Sequence, residues 1–346
     1  MRARCCATAA RCRFGIGELG DALVYALLLR HQQNAAWRQC ANDLGTERAA
    51  PSIDALGGRD PFSAGLFGST EMLIDQMLDL YRAGVLRRRV FDSLPLQKLL
   101  NAGRIAEGFE PSILEELPSV GVGPRLTAAE FAELQRFGVF RKDVRFDDGS
   151  LCTAGGAVIA ADLGDRAARE RIAAECLGRE LTGGLVAHAG FFLGPRGFYA
   201  ALRDLPESDR RQFGMRGVGY VNQLFGADCE LRMLQRRHAR FVNTTMMVTL
   251  LGAAVSDALE DGRVVSGVGG QYNFVSMAHA LPDGRSLLCV RATRAKDGRV
   301  GSNLVWSYGH TTIPRHLRDI VITEYGIADL RGRTDEETIA ALLNVA

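Results

Sequence analysis

The sequence lacks three features that would assign it to a specialised class: a strong net charge, a long apolar run and a patterned set of cysteines. Its 346 residues carry a formal net charge of +2, with 24% charged and 47% apolar residues. This balance excludes an intrinsically disordered chain and a protein that coats nucleic acid. The composition is that of a globular protein with one large or two ordinary domains.

No apolar stretch approaches the ~20 residues that a membrane-spanning helix needs. Residues 21–30 are too short for this role, and we predict a buried helix there and no membrane association. The eight cysteines show no CxxC or Cys/His ligand spacing, and a chain of this length does not need disulfide staples. We therefore predict reduced thiols, a cytoplasmic location and no metal site.

The first 14 residues differ from the rest of the chain, with four arginines, three cysteines and no acidic residue. We predict that they are an aberrant, unstructured leader and that a domain begins near residue 15. Gly15, Gly17 and Gly20 fit the dinucleotide-binding fingerprint, which needs a strand immediately before it. Residues 11–14 are a poor strand sequence, so a nicotinamide-dependent oxidoreductase is the least favoured of the functions considered.

Two stretches carry the main chemical signals. Residues 68–84 predict a helix capped by Ser69 or Thr70, which places Glu71 in the first turn, where the helix dipole favours a carboxylate. Residues 266–278 predict a glycine turn followed by a strand. Its glycines 267, 269 and 270 let backbone N–H groups approach an oxyanion or a phosphate, although a tight turn without a ligand has the same pattern.

The rest of the chain divides into two parts. From residue 183 onward, predicted strands near 184–193, 240–242, 263–265, 286–293, 303–308 and 319–323 alternate with predicted helices at 228–237 and 244–259. This alternation favours an α/β fold. Residues 93–185, with predicted helices at 126–137 and 166–177, carry no chemical constellation, and we interpret them as an accessory insertion.

Several segments together resemble the acetyl-CoA hydrolase and acetyl-CoA:carboxylate CoA-transferase family, in its C-terminal half. The segments, in the family's order, are F67-G-S-T-E71 with its following helix, F192-L-G194, F241-V-N-T-T245, S266-G-V-G-G-Q271 and V321-I-T-E-Y-G326 with A328-D-L-R-G332. The resemblance implies an α/β CoA-transferase (NagB/RpiA-like) domain over residues 15–346, with a mainly parallel sheet flanked by helices. It also implies a preceding domain that this chain lacks.

The resemblance further implies a reaction through a glutamyl-CoA thioester, with coenzyme A as a substrate and no cofactor. Glu71 matches the family's nucleophile, and Gly270 and Ile16 match its oxyanion amides. Asn222 matches an asparagine that orients the substrate. The neighbouring positions of the glycine stretch, Gly267, Gly269 and Gln271, are assigned to substrate or CoA binding.

Three further points qualify this assignment. Glu324 is a rival carboxylate, although we favour a structural hydrogen bond at a strand end. Histidines 188, 279, 310 and 316 have no nucleophile motif beside them, and we give them packing or surface roles. Asn273 stands where the family usually has Asp, which removes a charge near the glycines.

The predicted partners are an acyl-CoA and a small carboxylate, and nucleic acid is not among them. Transfer to a carboxylate and hydrolysis need the same groups, so both remain open. The alternative of another class is an inactive CoA-binding or interaction fragment that lacks its first domain. A homo-oligomer or a complementing N-terminal domain would cover the surface that this absence exposes.

Overall fold

A computed structural model describes residues 11–13, 18–46, 53–54, 56–296 and 298–346 of the chain. The strands are β1 (Arg11–Arg13), β2 (Phe67–Leu73), β3 (Arg145–Asp147), β4 (Ser150–Cys152), β5 (Val158–Ala160), β6 (Ala187–Phe192), β7 (Phe213–Met215), β8 (Ala239–Thr244), β9 (Met247–Thr249), β10 (Ala254–Val255), β11 (Arg285–Cys289), β12 (Thr293–Lys296), β13 (Arg299–Ser302), β14 (Leu304–Val305), β15 (Ile320–Thr323) and β16 (Gly326–Asp329).

The helices are α1 (Glu18–Gln32), α2 (Asn34–Asp43), α3 (Asp75–Arg82), α4 (Leu94–Asn101), α5 (Ile113–Glu116), α6 (Ala128–Arg136), α7 (Arg166–Glu175), α8 (Arg196–Asp204), α9 (Glu207–Arg210), α10 (Val218–Asn222), α11 (Cys229–Gln235), α12 (Gln271–Ala280) and α13 (Asp335–Leu343). No helix in the described ranges is long and apolar enough to cross a membrane.

The main sheet has eight strands in the order β16-β15-β11-β8-β1-β2-β6-β7. All neighbouring pairs are parallel except the β15–β16 hairpin. Helices lie in the connections between most of the parallel strands, as is usual in such sheets, while β11 and β15 are connected through β12, β13 and β14. The predicted α/β class, with a mainly parallel sheet flanked by helices, is confirmed.

Strand β1 lies in the middle of this sheet, between β2 and β8. Residues 11–13 thus form a strand, which differs from the unstructured leader expected there. Pairing on both sides supplies their backbone hydrogen bonds, so a poor strand sequence suffices. The strand that the dinucleotide fingerprint requires is therefore present, but Gly15 and Gly17 lie outside the described residues.

Residues 93–185 form a layer with a core of their own, which we call the accessory layer. It contains helices α4 to α7 and the antiparallel sheet β3-β4-β5. A continuous cluster of buried apolar side chains fills it, from Leu96 to Leu181. The predicted helix at 126–137 begins with a complete capping box, in which Thr127 and Glu130 bond each other's backbone N–H groups.

Several local predictions were wrong. The segment predicted as a helix from residue 68 forms strand β2 first, and the helix begins only at Asp75. Residues 244–259 form β9 and β10 instead of a helix, residues 263–265 form no strand, and the residues after Gly270 form helix α12 instead of a strand. Helix α1 forms as predicted, but Tyr25 on it is 67% exposed, so the helix is not buried.

Candidate active site

Glu71 lies near the carboxyl end of β2, in the interior half of the main sheet. Strand β2 pairs in parallel with β1 and β6. The buried Ser69 and Thr70 precede Glu71, and the Thr70 hydroxyl donates to the Met72 carbonyl instead of capping a helix. The expected placement of Glu71 in a first helical turn is wrong, because cross-strand pairing overrides a local capping signal. The carboxyl end of a parallel strand is, however, where α/β sheets often present functional side chains.

Asn222 is the last residue of the short helix α10, and its side chain reaches Glu71. The amide Nδ2 donates to Glu71 Oε1 at 2.5 Å. Gly190 on β6 makes this approach possible, because a Cβ there would lie 2.9 Å from Val218 Cγ2 and 3.0 Å from the Glu71 carbonyl oxygen. The hydrogen bond joins residues 151 positions apart in the sequence.

Gly270 lies against both the Glu71 carboxyl group and the Asn222 amide. A Cβ at this position would lie 2.9 Å from both Glu71 Cδ and Asn222 Nδ2, and 2.6 Å from Phe274 Cε2. Gly270 is the N-cap residue of α12, and its N–H finds no acceptor among the described residues. The first turn of a ten-residue helix thus faces a carboxylate, an arrangement that helix dipoles and open N–H groups favour.

The other residues of the glycine stretch have different environments. Gly267 and Gly269 are exposed, and Gly269 has a left-handed φ of +56°. Gln271 is buried, and its amide donates to the Thr244 carbonyl at 3.0 Å. This bond fastens the start of α12 to the end of β8. The Gln271 side chain therefore holds the helix that follows Gly270 in place. Ile16 lies outside the described residues.

Asp257 anchors the start of the glycine stretch and was missed by the sequence analysis. Its carbonyl accepts the N–H groups of Val265 and Ser266. Its buried carboxylate accepts the Thr312 hydroxyl and lies 3.1 Å from His310 Nε2. These bonds, that of Thr312 first, lower the pKa of Asp257. No sequence motif surrounds Asp257, and its partners His310 and Thr312 lie 53 and 55 positions away, so no signal in the sequence marked it.

Glu324, the alternative nucleophile, and His188 contact the surrounding fold. Glu324 is exposed and accepts the Ala292 N–H through Oε2 at 2.8 Å. His188 is buried edge-on between Phe67 and Tyr220. In the described part of the chain, no three His, Cys, Asp or Glu side chains are grouped as metal ligands would be.

A narrow cleft opens beside Asn222. Its volume is about 160 Å³, and it lies between the end of α10 and the first turns of α12. Tyr272 and Asn273 line it from the helix, and the exposed Phe225 lines it from the loop after α10. The Oδ1 atom of Asn222 is buried and accepts no hydrogen bond from the described residues. Asn222 therefore holds the Glu71 carboxylate through one amide atom, while its other amide atom is buried without a partner among the described residues.

The fold is shared with solved structures of which this chain covers less than half. The chain superposes on RipA from Yersinia pestis with a TM-score of 0.50 at 19% identity, covering 98% of this chain and 46% of that chain. A single-residue mutant of RipA gives a TM-score of 0.51 at 20% identity, with the same coverage. The chain thus has the mixed α/β architecture of these proteins and spans less than half of their length.

The C-terminal part of the sequence is similar to a known family. Residues 194–346 match the family model described as acetyl-CoA hydrolase/transferase C-terminal domain. The match contains Asn222 and Gly270. Glu71 lies before it and is brought to these two residues by the fold.

Curated relatives are CoA-transferases. The 4-hydroxybutyrate coenzyme A transferase of Clostridium kluyveri is 30% identical over 131 residues, 37% of this chain and 29% of the relative. The probable butyrate:acetyl-CoA coenzyme A-transferase of Syntrophomonas wolfei is 32% identical over 108 residues, 30% and 24% of the two chains. The succinyl-CoA:cyclohexane-1-carboxylate CoA transferase of Geobacter metallireducens is 29% identical over 161 residues, 46% and 34%. Each match covers about a third or less of the relative's length.

Proposed function

We propose that this chain carries the nucleophile-bearing half of an acyl-CoA:carboxylate CoA-transferase, with Glu71 as the nucleophile. The observation that carries the proposal is the meeting of three residues from separate elements: Glu71 on β2, Asn222 at the end of α10 and Gly270 at the start of α12. A carboxylate held by an amide donor beside an open backbone N–H matches the needs of acyl transfer.

The proposed reaction proceeds through two kinds of covalent enzyme intermediate, a mixed anhydride and a CoA thioester of Glu71. The Glu71 carboxylate attacks the thioester carbonyl, and the CoA thiolate leaves, which yields a mixed anhydride. The thiolate then attacks the glutamyl carbonyl and releases the first carboxylate, so that Glu71 is left as a CoA thioester. An acceptor carboxylate reverses these steps and departs as the new acyl-CoA. When water attacks instead, the outcome is hydrolysis.

Each tetrahedral stage places negative charge on an oxygen. We assign the Gly270 N–H to that oxygen, since a preset donor of this kind contributes about 3 kcal/mol. Asn222 holds the Glu71 carboxylate through Nδ2. We place the pantetheine arm of the acyl-CoA in the cleft beside Tyr272 and Asn273.

The alternative function is a CoA-binding or interaction fragment without turnover. Its support is the apolar surface around the carboxyl ends of β6 and β7, where Phe191, Phe192, Leu193 and Met215 are 42–49% exposed. Together with the partial coverage of larger relatives, this surface suits a complementing N-terminal domain or a second copy of the chain. We place the protein in the cytoplasm, where free thiols persist.

The test uses acetyl-CoA with and without a carboxylate acceptor such as butyrate. We expect acceptor-dependent release of CoA and a CoA adduct on the peptide that contains Glu71, detected by mass spectrometry. Glu71→Gln removes the nucleophile, and we expect a loss of at least ~10³-fold in turnover. Glu324→Gln is the matched control and should retain turnover.

Two outcomes separate the alternatives. If Glu71→Gln retains turnover while Glu324→Gln loses it, the assignment of the nucleophile is wrong. If calorimetry shows CoA binding while thioester cleavage stays at the blank rate, with or without acceptor, the non-catalytic fragment is the correct function.

A further inference from the structure

Arg236 is a buried arginine that the proposed reaction does not use. It follows helix α11, is only 2% exposed, and pairs with no carboxylate among the described residues. Burial lowers its pKa to about 10, so the guanidinium still carries its charge at neutral pH. Burying a cation without a counter-ion costs free energy, so the groups that accept its hydrogen bonds must offset this cost.

The guanidinium bonds two elements of the candidate active site. On one side, Nη2 donates to the Tyr220 carbonyl at 2.6 Å and Nη1 to the Gln223 carbonyl at 2.9 Å. These carbonyls belong to the C-terminal end of α10 and flank Asn222. On the other side, Nη1 donates to Met277 Sδ at 2.9 Å, on the helix that begins after Gly270.

This geometry makes Arg236 a link between the end of α10 and helix α12, which are the two walls of the cleft beside Asn222. The orphan carbonyls at the end of a five-residue helix need donors, and a cation is the favoured one at that end. Gln223 and Met277 also line the cleft beside Asn222 from its two sides. The planar fork of arginine can serve both walls at once, whereas a lysine ammonium cannot reproduce its fixed geometry.

We propose that Arg236 is a positioning residue, which holds α10 and α12 at the separation that lets Asn222 and Gly270 reach the Glu71 carboxyl group together. This inference rests on the proposed function for its kinetic consequence. It does not rest on it for its structural consequence, which is the hydrogen bond from Asn222 to Glu71.

The kinetic test measures the single-turnover rate of the CoA adduct on Glu71 at saturating acyl-CoA. We expect Arg236→Lys to slow it roughly 10- to 100-fold, the range for a catalytic group displaced by a fraction of an ångström to about 1 Å. Met277→Leu keeps the volume and removes one acceptor, and should slow it roughly 2- to 10-fold. Arg237→Gln is the matched control, since that exposed neighbour contacts neither wall.

A double-mutant cycle distinguishes positioning from general support of the fold. If Arg236 acts through Asn222, Arg236→Lys should slow an Asn222→Ala protein much less than it slows the wild type. Equal losses in both backgrounds would overturn the proposal. So would a wild-type rate in Arg236→Lys. If Arg236→Lys does not fold, a wild-type rate in Met277→Leu overturns the link to α12.

A structural measurement decides the case in which the wild type forms no adduct, which would refute the proposed function alone. In ¹⁵N-labelled protein, the side-chain amide signals of Asn222 are identified by their loss in Asn222→Ala. We expect Arg236→Lys to shift them and Arg237→Gln to leave them in place. Unchanged signals in Arg236→Lys would overturn the inference.

Discussion

The accessory layer and the sheet region (residues 67–92 and 186–346) bury different kinds of side chain. The accessory layer buries two polar side chains, Ser93 and Gln97, both where the chain enters it, and between residues 98 and 185, all of which the structure describes, every buried side chain is apolar or a cysteine. The sheet region buries Ser69, Asn243, Asp257, Gln271 and Arg236, among other polar groups. Each such group needs a partner to offset its lost hydration. Buried polarity therefore separates the part that carries the candidate chemistry from the part that only packs.

The two regions meet at helix α11. Asn101 of the layer donates to the Leu234 carbonyl, and Lys98 of the layer forms an ion pair with Glu230. Gln235 fastens the same helix to Phe91 and Asp92, just before the chain enters the layer. Arg236 follows directly in the chain. The layer thus adjoins the element that supports the site without adding a side chain to it.

The largest expected effect concerns the sheet region. Gly270→Ala would force a Cβ to within 2.9 Å of Glu71 Cδ and 2.6 Å of Phe274 Cε2. Alanine keeps the backbone N–H, but the clash should displace it from the reacting oxygen. We therefore expect acceptor-dependent CoA transfer to fall roughly 10²- to 10³-fold, as on the loss of one oxyanion donor. Steady-state assays at saturating acyl-CoA measure this fall.

Gly197→Ala, on helix α8, is the matched control for that change, since a Cβ there meets nothing within 4 Å and its φ is not left-handed. It should keep near-normal turnover. Equal losses in the two variants would show that the loss does not come from the contact of residue 270.

The second effect concerns the accessory layer and should change stability instead of rate. Ile172→Ala empties a fully buried position of the layer's core, and we expect a loss of about 2–5 kcal/mol in the free energy of unfolding. Hydrogen exchange should rise within residues 93–185, while turnover of the folded protein stays within about threefold, because no distance at the site changes. Faster exchange in α12 would show that the two regions are one cooperative unit.

The smallest effects come from the capping boxes, of which each region has one among its described helices. Thr127 and Glu130 cap α6 in the layer, and Thr334 and Glu337 cap α13 in the sheet region. Thr127→Ala and Thr334→Ala should each destabilise the protein by about 1 kcal/mol in chemical unfolding. A large difference between them would mean that the regions differ in local helix stability as well as in buried polarity.

The two caps also predict a matched response to pH. The backbone N–H of Gly123, followed by that of Thr127, lowers the pKa of Glu130, and the N–H of Thr334 lowers that of Glu337. A depressed carboxyl pKa stabilises the fold above the ordinary value of 4.5, and this contribution is lost as the pH falls through the lower folded pKa. Glu130→Gln should flatten the acid limb of the stability profile. An unchanged limb would contradict this prediction.

Local signals predicted local structure well. The capping box at Thr127 and Glu130 formed as expected, as did the helices at 166–175 and 229–235. The alternation of strands and helices after residue 183 indicated the α/β class. Where the local signal conflicted with sheet pairing, it failed: Ser69 and Thr70 resemble caps but lie in a buried strand. The short apolar runs near 244–259 and 271–280 fit either periodicity, so helix and strand were exchanged.

Glu71 and the glycine stretch could be singled out from the sequence because their residue types and order are distinctive. Arg236 could not, because it stands in a basic run, R236-R237-H238, that is typical of a solvated surface. Asp257 likewise has no motif around it. Their importance comes from the groups that surround them, and those groups come from distant parts of the chain.

The sequence by itself determined the α/β class, the C-terminal family resemblance and the residue types available for acyl transfer, since these depend on local pattern and order. Only the tertiary structure decided that Glu71 is on a strand, that Asn222 bonds it across 151 positions, and that a buried guanidinium joins the helices on either side. Such contacts form because sheet pairing and burial bring distant segments together, and the local sequence pattern does not specify which distant residues will meet.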